Sequence, residues 1–253
     1  MHLLMQYYNH PNAKRQKEID YCLQFNLDNP AISAIHNLME IGTNLPECFD
    51  KHKKIITSIY ERIKYSTCFE YMRTNLKVGD VAILCNNDIF LNMEENNPWN
   101  FIKQDFFEAN SSQKVLNLSR HEYNLSGEVE RTGNYSSYSS DGWVVQLPLL
   151  EIPDCAFHVG TLFADWAIAG RFRDAKYHVY NWADKYVIYH LDNVLNRKKR
   201  HPKRKKHTES NSTESARSRL FVCPYLDYDM FLKKNINPQS AKCTKRCKFE
   251  HVT

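Results

Sequence analysis

Glycine is scarce, at 7 of 253 residues. Neither GxGxxG nor GxxxxGK[ST] occurs, so the dinucleotide fingerprint and the P-loop phosphate cradle are both excluded. No apolar run reaches the roughly 18 residues that a membrane span needs. Nor is a secretory signal read at the start, because the apolar stretch Leu3–Met5 is too short for a signal core. Hydrophobic residues make up 42% and aromatics 13%, enough for one real core in a domain of moderate size.

The net charge of +5 is uneven. Eight of the 34 Lys and Arg fall in residues 197–207, RKKRHPKRKKH, and the rest of the chain is slightly acidic. The basic balance thus describes a segment, and nucleic-acid binding by the domain is not expected. Of the 8 cysteines, Cys22, Cys68, Cys85 and Cys155 sit in apolar segments, as buried free thiols do. That pattern suits a reducing, cytoplasmic location. Five N-x-[ST] sequons (Asn110, Asn117, Asn124, Asn134, Asn211) pull the other way and are read as chance in an Asn- and Ser-rich chain.

Period and punctuation predict strands at His2–Tyr8, Ala31–Met39, Lys54–Ile59 and Val81–Leu91, with helices at Lys14–Phe25 and Thr67–Leu76. This β-α-β-β-α-β order predicts an α/β layer with a largely parallel sheet. Trp99–Phe107 reads as a short helix, Lys114–Ser119 and Trp143–Pro148 as strands, and Gly127–Ser140 as an exposed polar loop. Asp165–Phe172 reads as a helix and Lys185–His190 as the last strand. In a parallel sheet, ligands sit at the carboxyl ends of strands. That position singles out Tyr7-Tyr8-Asn9, the loop after the Lys54–Ile59 strand, and Asn86-Asn87-Asp88.

Asn86-x-Asp88 interrupts the apolar run VAILCNNDIFL. Polar groups in a buried strand cost free energy unless they bind something. One carboxylate beside an amide oxygen suits a hard cation shared with substrate phosphates. This is the logic of the Asp-x-Asp metal site in sugar-nucleotide enzymes. From the tripeptide alone, a strand end entering a turn is the commoner reading. Asp165 stands where a loop enters a helix, which suits a carboxylate acting as base or equally a plain N-cap. His190 ends an apolar strand and is either a metal ligand or a core histidine. Arg120 follows a strand and is either a bidentate phosphate contact or half of a surface ion pair.

The order of short motifs resembles a family of small GT-A glycosyltransferase domains, some encoded by large DNA viruses. The matching pieces are QYYN at 6–9, RQKE at 15–18, NNDIF at 86–90, LSR at 118–120, DGW at 141–143, Gly160 followed by Ala164-Asp165, and YHL at 189–191. They span roughly residues 1–195. The resemblance implies a GT-A-like (nucleotide-diphospho-sugar transferase) α/β fold, a mixed, mostly parallel sheet flanked by helices. It implies a nucleotide-sugar donor, a glycan or other hydroxyl acceptor, and Mn2+ or Mg2+. Asp88 would bind the cation, His190 would approach the metal or the diphosphate, and Asn86 and Asn87 would bind the nucleotide-sugar, Asn86 at the ribose or metal. Tyr7, Tyr8 and Asn9 would line the base and ribose pocket, and Arg15 would face the diphosphate. Arg120 and Asp141 would lie near the donor sugar or acceptor, and Asp165 would be the base of a single inverting displacement. The chain departs from the pattern in having Phe163-Ala164-Asp165-Trp166 where the family often has Gly-Cys-Asp-Asn. Its first acid of Asp-x-Asp is Asn86.

Residues 196–217 read as a basic disordered linker and 218–253 as a small Cys-containing tail. In that tail Cys223, Cys243, Cys247 and His251 form the donor set of a structural Zn2+. The first spacing is long and the second short for a CCCH finger, and free thiols on a flexible tail are the commoner reading. The basic run could also be a nuclear-localisation or nucleic-acid patch, or an anionic membrane contact. The rival function is therefore a non-catalytic nucleic-acid-binding protein using the basic run and a zinc-bound tail. A transferase that binds nucleotide but no longer turns over is a third reading.

Overall fold

The computed structural model describes residues 1–93, 97–108, 113–123, 129–130, 140–161 and 164–193. The expected linker, the tail with its zinc donor set and most of the 127–140 loop lie outside the described residues. In chain order the elements are β1 (His2–Met5), α1 (Ala13–Asp28), β2 (Ala34–Glu40), α2 (Glu47–Asp50), β3 (Ile55–Tyr60), α3 (Tyr65–Asn75), β4 (Val81–Cys85) and β5 (Ile89–Leu91). A 3-10 turn (Pro98–Phe101) and a π turn (Lys103–Phe107) precede β6 (Lys114–Leu118), β7 (His121–Tyr123) and β8 (Val129–Glu130). The chain continues with β9 (Gly142–Gln146), α4 (Ala164–Asp174), β10 (His178–Tyr180) and β11 (Ile188–Leu191).

Seven strands form one mixed sheet in the order β10-β6-β9-β4-β1-β2-β3. Every pairing is parallel except the two made by β9, which runs against β4 and β6. The expected mixed, mostly parallel α/β sheet flanked by helices is what the chain forms. Successive residues of each strand face opposite sides. Leu3, Met5, Ile83 and Leu116 therefore pack with Ile19, Leu23 and Leu27 of α1. Leu4, Leu84 and Val115 pack with Phe69 and Met72 of α3 and Ile168 and Phe172 of α4. Helices cover both faces, which is why these strands are apolar throughout rather than alternating. Burial of each such side chain contributes about 1.5–3 kcal/mol. Cys22, Cys68, Cys85 and Cys155 are buried free thiols, as expected. No helix among the described residues is long and apolar enough to cross a membrane.

The Val81–Leu91 strand is not continuous. β4 stops at Cys85, and Ile89–Leu91 leaves to join a second sheet, β5-β11-β7-β8. Two contacts cause the break. Ile89 N donates back to Asn86 O at 3.2 Å, closing a turn over Asn86–Asp88. The Asn26 side chain of α1 then takes β5's backbone, donating to Ile89 O at 2.9 Å and accepting from Leu91 N at 3.1 Å. The remaining differences are at element ends. β1 closes at Met5 rather than Tyr8, because Tyr7 N turns to the Asn37 side chain at 3.0 Å. Trp99–Phe107 is two single turns rather than a regular helix, and β11 begins only at Ile188. The strands β7 and β10 are too short to carry a period.

Candidate active site

The parallel strands β1, β2, β4 and β6 end at one edge of the sheet. β9 runs the other way, and Gly142 at its start is in register with both Cys85 and Leu118. That reversal delivers Asp141 to the same edge as Asp88 and Arg120. Tyr8, Asn86, Asn87 and Asp88 line a groove of about 490 Å³ there, together with Gln6, Glu40, Arg62 and Gly160. A narrow cleft of about 10 Å³ adjoins it, lined by Tyr65, Asn86, Asp141, Trp143 and Asp165. That is room for roughly one water. Asn86 borders both spaces and so connects the Asp88 end to the Asp165 end.

At the Asp88 end a chain of charges crosses the gap between the two sheets. Arg15 Nη1 donates to Glu18 Oε2 at 2.8 Å, and Arg15 Nη2 pairs with Asp88 Oδ2. His190 Nε2 meets the same Asp88 oxygen at 3.1 Å, and its Nδ1 meets Glu122 Oε2 at 2.7 Å. Arg120 continues from Glu122 Oε1 at 2.8 Å to Asp141 Oδ1 at 2.6 Å. Burial by itself would raise the Asp88 carboxyl, but His190 and Arg15 hold it well below the usual carboxylate range. Glu122, also opposed by burial, is lowered to about 2 by His190 and Arg120. Burial works the other way on His190, whose ring is nevertheless raised above its ordinary value by Asp88 and Glu122.

Asp165 has a different setting. It lies inside the first turn of α4 rather than at a cap, and Tyr65 Oη donates to its Oδ1 at 3.1 Å. Burial, reinforced by the neighbouring Asp141 charge, pushes its carboxyl up to about 8. A carboxyl near 8 is a strong base once deprotonated.

The structure brings Tyr8, Asn86, Asn87, Asp88, Arg120, Asp141, Asp165 and His190 to this edge. Three of the residues singled out are engaged elsewhere. Tyr7 is fully buried, its hydroxyl 2.6 Å from Asp20 Oδ1 and 2.7 Å from Gln16 Nε2. Asn9 clamps the loop after β2 through Asn44 N at 2.7 Å and Asn44 O at 3.0 Å. Arg15 is 3% exposed and spends its guanidinium on Glu18, Asp88 and Leu191 O, so it does not face the groove.

Three groove residues carry buried polar atoms with no hydrogen-bond partner among the described residues: Gln6 Nε2, Asn87 Nδ2 and Asp88 Oδ1. Such orphans are uncommon in folded proteins, and these three belong to residues that line one groove. Sequence reading gave no role to Gln6, Arg62 or Tyr65, although Gln6 opens the QYYN piece and Arg62 falls in the loop after Lys54–Ile59. Arg62 lines the groove and has no ion pair among the described residues, which makes it the groove's cation in place of Arg15. The signal for Arg62 was its place just beyond the end of β3. Nothing local marks Tyr65.

No known protein family matches this chain, and neither does any curated protein. Similarity is found among solved structures. One is S. aureus TarS 1-349, at 14% identity and a TM-score of 0.49, covering 75% of this chain and 60% of that one. Another is GalNAc-T7 with UDP, GalNAc and Mn2+, at 9% and 0.47, covering 76% and 43%. A third is the catalytic domain of Drosophila beta1,4galactosyltransferase 7 in complex with xylobiose, at 13% and 0.45, covering 86% and 79%. The chain thus spans less than two thirds of the first of these proteins and less than half of the second.

Proposed function

We propose that residues 1–195 form a GT-A-type glycosyltransferase, moving a sugar from a nucleotide-diphosphate sugar to a hydroxyl of a glycan or other acceptor. The observation that carries this reading is the groove with its three orphaned polar atoms, joined through Asn86 to a carboxyl poised near pH 8. The amide donors of Gln6 and Asn87 and the Arg62 cation complement an acceptor-rich, anionic ligand. A sugar nucleotide has that character.

A divalent cation fits one atom well. Asp88 Oδ1 is a buried carboxylate oxygen without a partner, and hard cations take such ligands. Asp88 would hold Mn2+ or Mg2+ with Asn86 beside it, and the ion would supply charge neutralisation for the departing diphosphate. Both ring nitrogens of His190 are engaged, so His190 orients Asp88 rather than ligating. Since Arg15 already neutralises the other Asp88 oxygen, most of the ion's ligands must come from the donor and water.

The chemical step then belongs to Asp165. Its carboxylate takes the proton from the acceptor hydroxyl as that oxygen bonds to the sugar's anomeric carbon. The bond to the diphosphate breaks in the same displacement, and the configuration inverts. Arg120 and Asp141, locked together, bound the acceptor side. Thermal-shift screening of nucleoside-diphosphate sugars with and without Mn2+ tests the reading. One donor should stabilise the protein more strongly with the metal present. No response from any donor, with or without metal, removes the assignment.

A further inference from the structure

Tyr65 is the first residue of α3, and its ring is fully buried. The start of α3 is pinned to the chain leading toward α4, with Tyr65 N donating to Phe157 O and Ser66 N to Cys155 O, both at 3.0 Å. Phe69 and Phe157 pack on the ring at centroid distances of 6.2 and 5.4 Å. The hydroxyl is therefore a fixed donor, and it is spent on the carboxyl of Asp165, 100 residues away. Burial, with Asp165 beside it, pushes the Tyr65 hydroxyl well above its ordinary value, so it keeps its proton to give. A buried tyrosine hydroxyl needs some acceptor. Here the acceptor is a carboxylate that lines the same cleft as Tyr65, Asn86 and Asp141.

We infer that Tyr65 is the positioning residue of this site, holding Asp165 Oδ1 so that Oδ2 faces the acceptor hydroxyl and stabilising the ionised form that a base requires. The inference rests on the transferase reading of Asp165. The charged and titratable groups acting on Asp165 are Tyr65 from α3, Asp141 ahead of β9, Arg120 after β6 and Asp88 after β4. Asp141 and Asp88 oppose its ionisation. Tyr65 and Arg120 favour it, and of these two Tyr65 makes the hydrogen bond. Removing that donor leaves the carboxyl free to rotate and makes it hold its proton to higher pH.

The test uses the full chain with Tyr65→Phe, Asp165→Asn and the double variant. The Asp165 carboxyl is titrated by carbon-13 NMR, with Asp165→Asn identifying its signal, and turnover is followed against pH. Tyr65→Phe should raise the Asp165 midpoint and move the acid limb of the rate profile up with it. It should also lower kcat about tenfold while leaving the donor KM unchanged. In the Asp165→Asn background, Tyr65→Phe should have no further effect. An unmoved midpoint overturns the proposal whether or not the protein turns over a donor, as does a raised KM at unchanged kcat. A moved midpoint in a protein that turns over no donor upholds the contact and overturns the transferase reading instead.

Discussion

The two carboxylates, Asp88 in the groove and Asp165 in the adjoining cleft, are held in opposite ways. Asp88 shares one oxygen between a guanidinium and an imidazole and stays ionised. Asp165 has a single neutral hydroxyl on its Oδ1 and an acidic neighbour, and it keeps its proton to about pH 8. The same functional group thus becomes a standing anion at one end and a proton acceptor at the other. What separates them is the number of cations within contact. Pairs of titratable groups driven apart in this way mark acid–base assignments.

The comparison breaks most completely at Asp165. Asp165→Asn removes the proton acceptor and should lower transfer by about 10²–10⁴-fold while donor binding, measured by calorimetry, stays within a few-fold. Transfer that survives within a few-fold would assign the base to another residue. Arg15→Ala attacks the other end. It removes the cation that pairs with both Asp88 and Glu18 in a nearly closed site, at a cost of about 3–5 kcal/mol in urea unfolding. Asp88→Ala also takes one carboxylate from Arg15 and empties space beside it, so Asp88→Asn is the cleaner probe of the metal. It should abolish any Mn2+ dependence of donor stabilisation.

Stability against pH sharpens the contrast by its sign. Asp165 is raised in the folded protein, so its contribution is full below the unfolded value near 4 and is lost as pH rises toward 8. Asp88 and Glu122 are lowered, so theirs is full above about 4 and is lost as pH falls toward 2. Asp165→Asn should therefore flatten the decline in stability between pH 5 and 8 and leave the acid limb in place. Equal pH slopes in the variant and the unmodified protein would refute the assignment. The smallest effect is expected from deleting residues 196–253. Donor binding should change less than about twofold, since the residues that line the groove and the cleft fall between Gln6 and Asp165. Loss of all binding activity would favour the nucleic-acid-binding reading.

Much of this was legible locally. The apolar strands of β1, β4 and β6 announce a sheet covered on both faces. The helix expected from Lys14 begins one residue earlier, at Ala13, behind Asn12, which caps it by accepting from Lys14 N and Arg15 N. Asn86–Asp88 stands out because polar residues break an apolar run. The partners of Arg15 were not legible, since a cation in the first turn of a helix looks the same in sequence whether it faces a ligand or a buried acid. The single strand expected over Val81–Leu91 misled. Its apolar period continues through Ile89–Leu91, and only the Asn26 clasp reassigns those residues to the second sheet.

Composition, periodicity and capping therefore determined the class of fold and the edge where a site would form, because each depends on residues a few positions apart. Which side chains meet at that edge was decided by the tertiary structure. Arg15 reaches Asp88 across 73 residues, His190 reaches it across 102, and Tyr65 reaches Asp165 across 100. Those meetings follow from the order of strands in the two sheets and from the helices packed on them. The charge state of each carboxylate depends in turn on how many cations that order brings within contact.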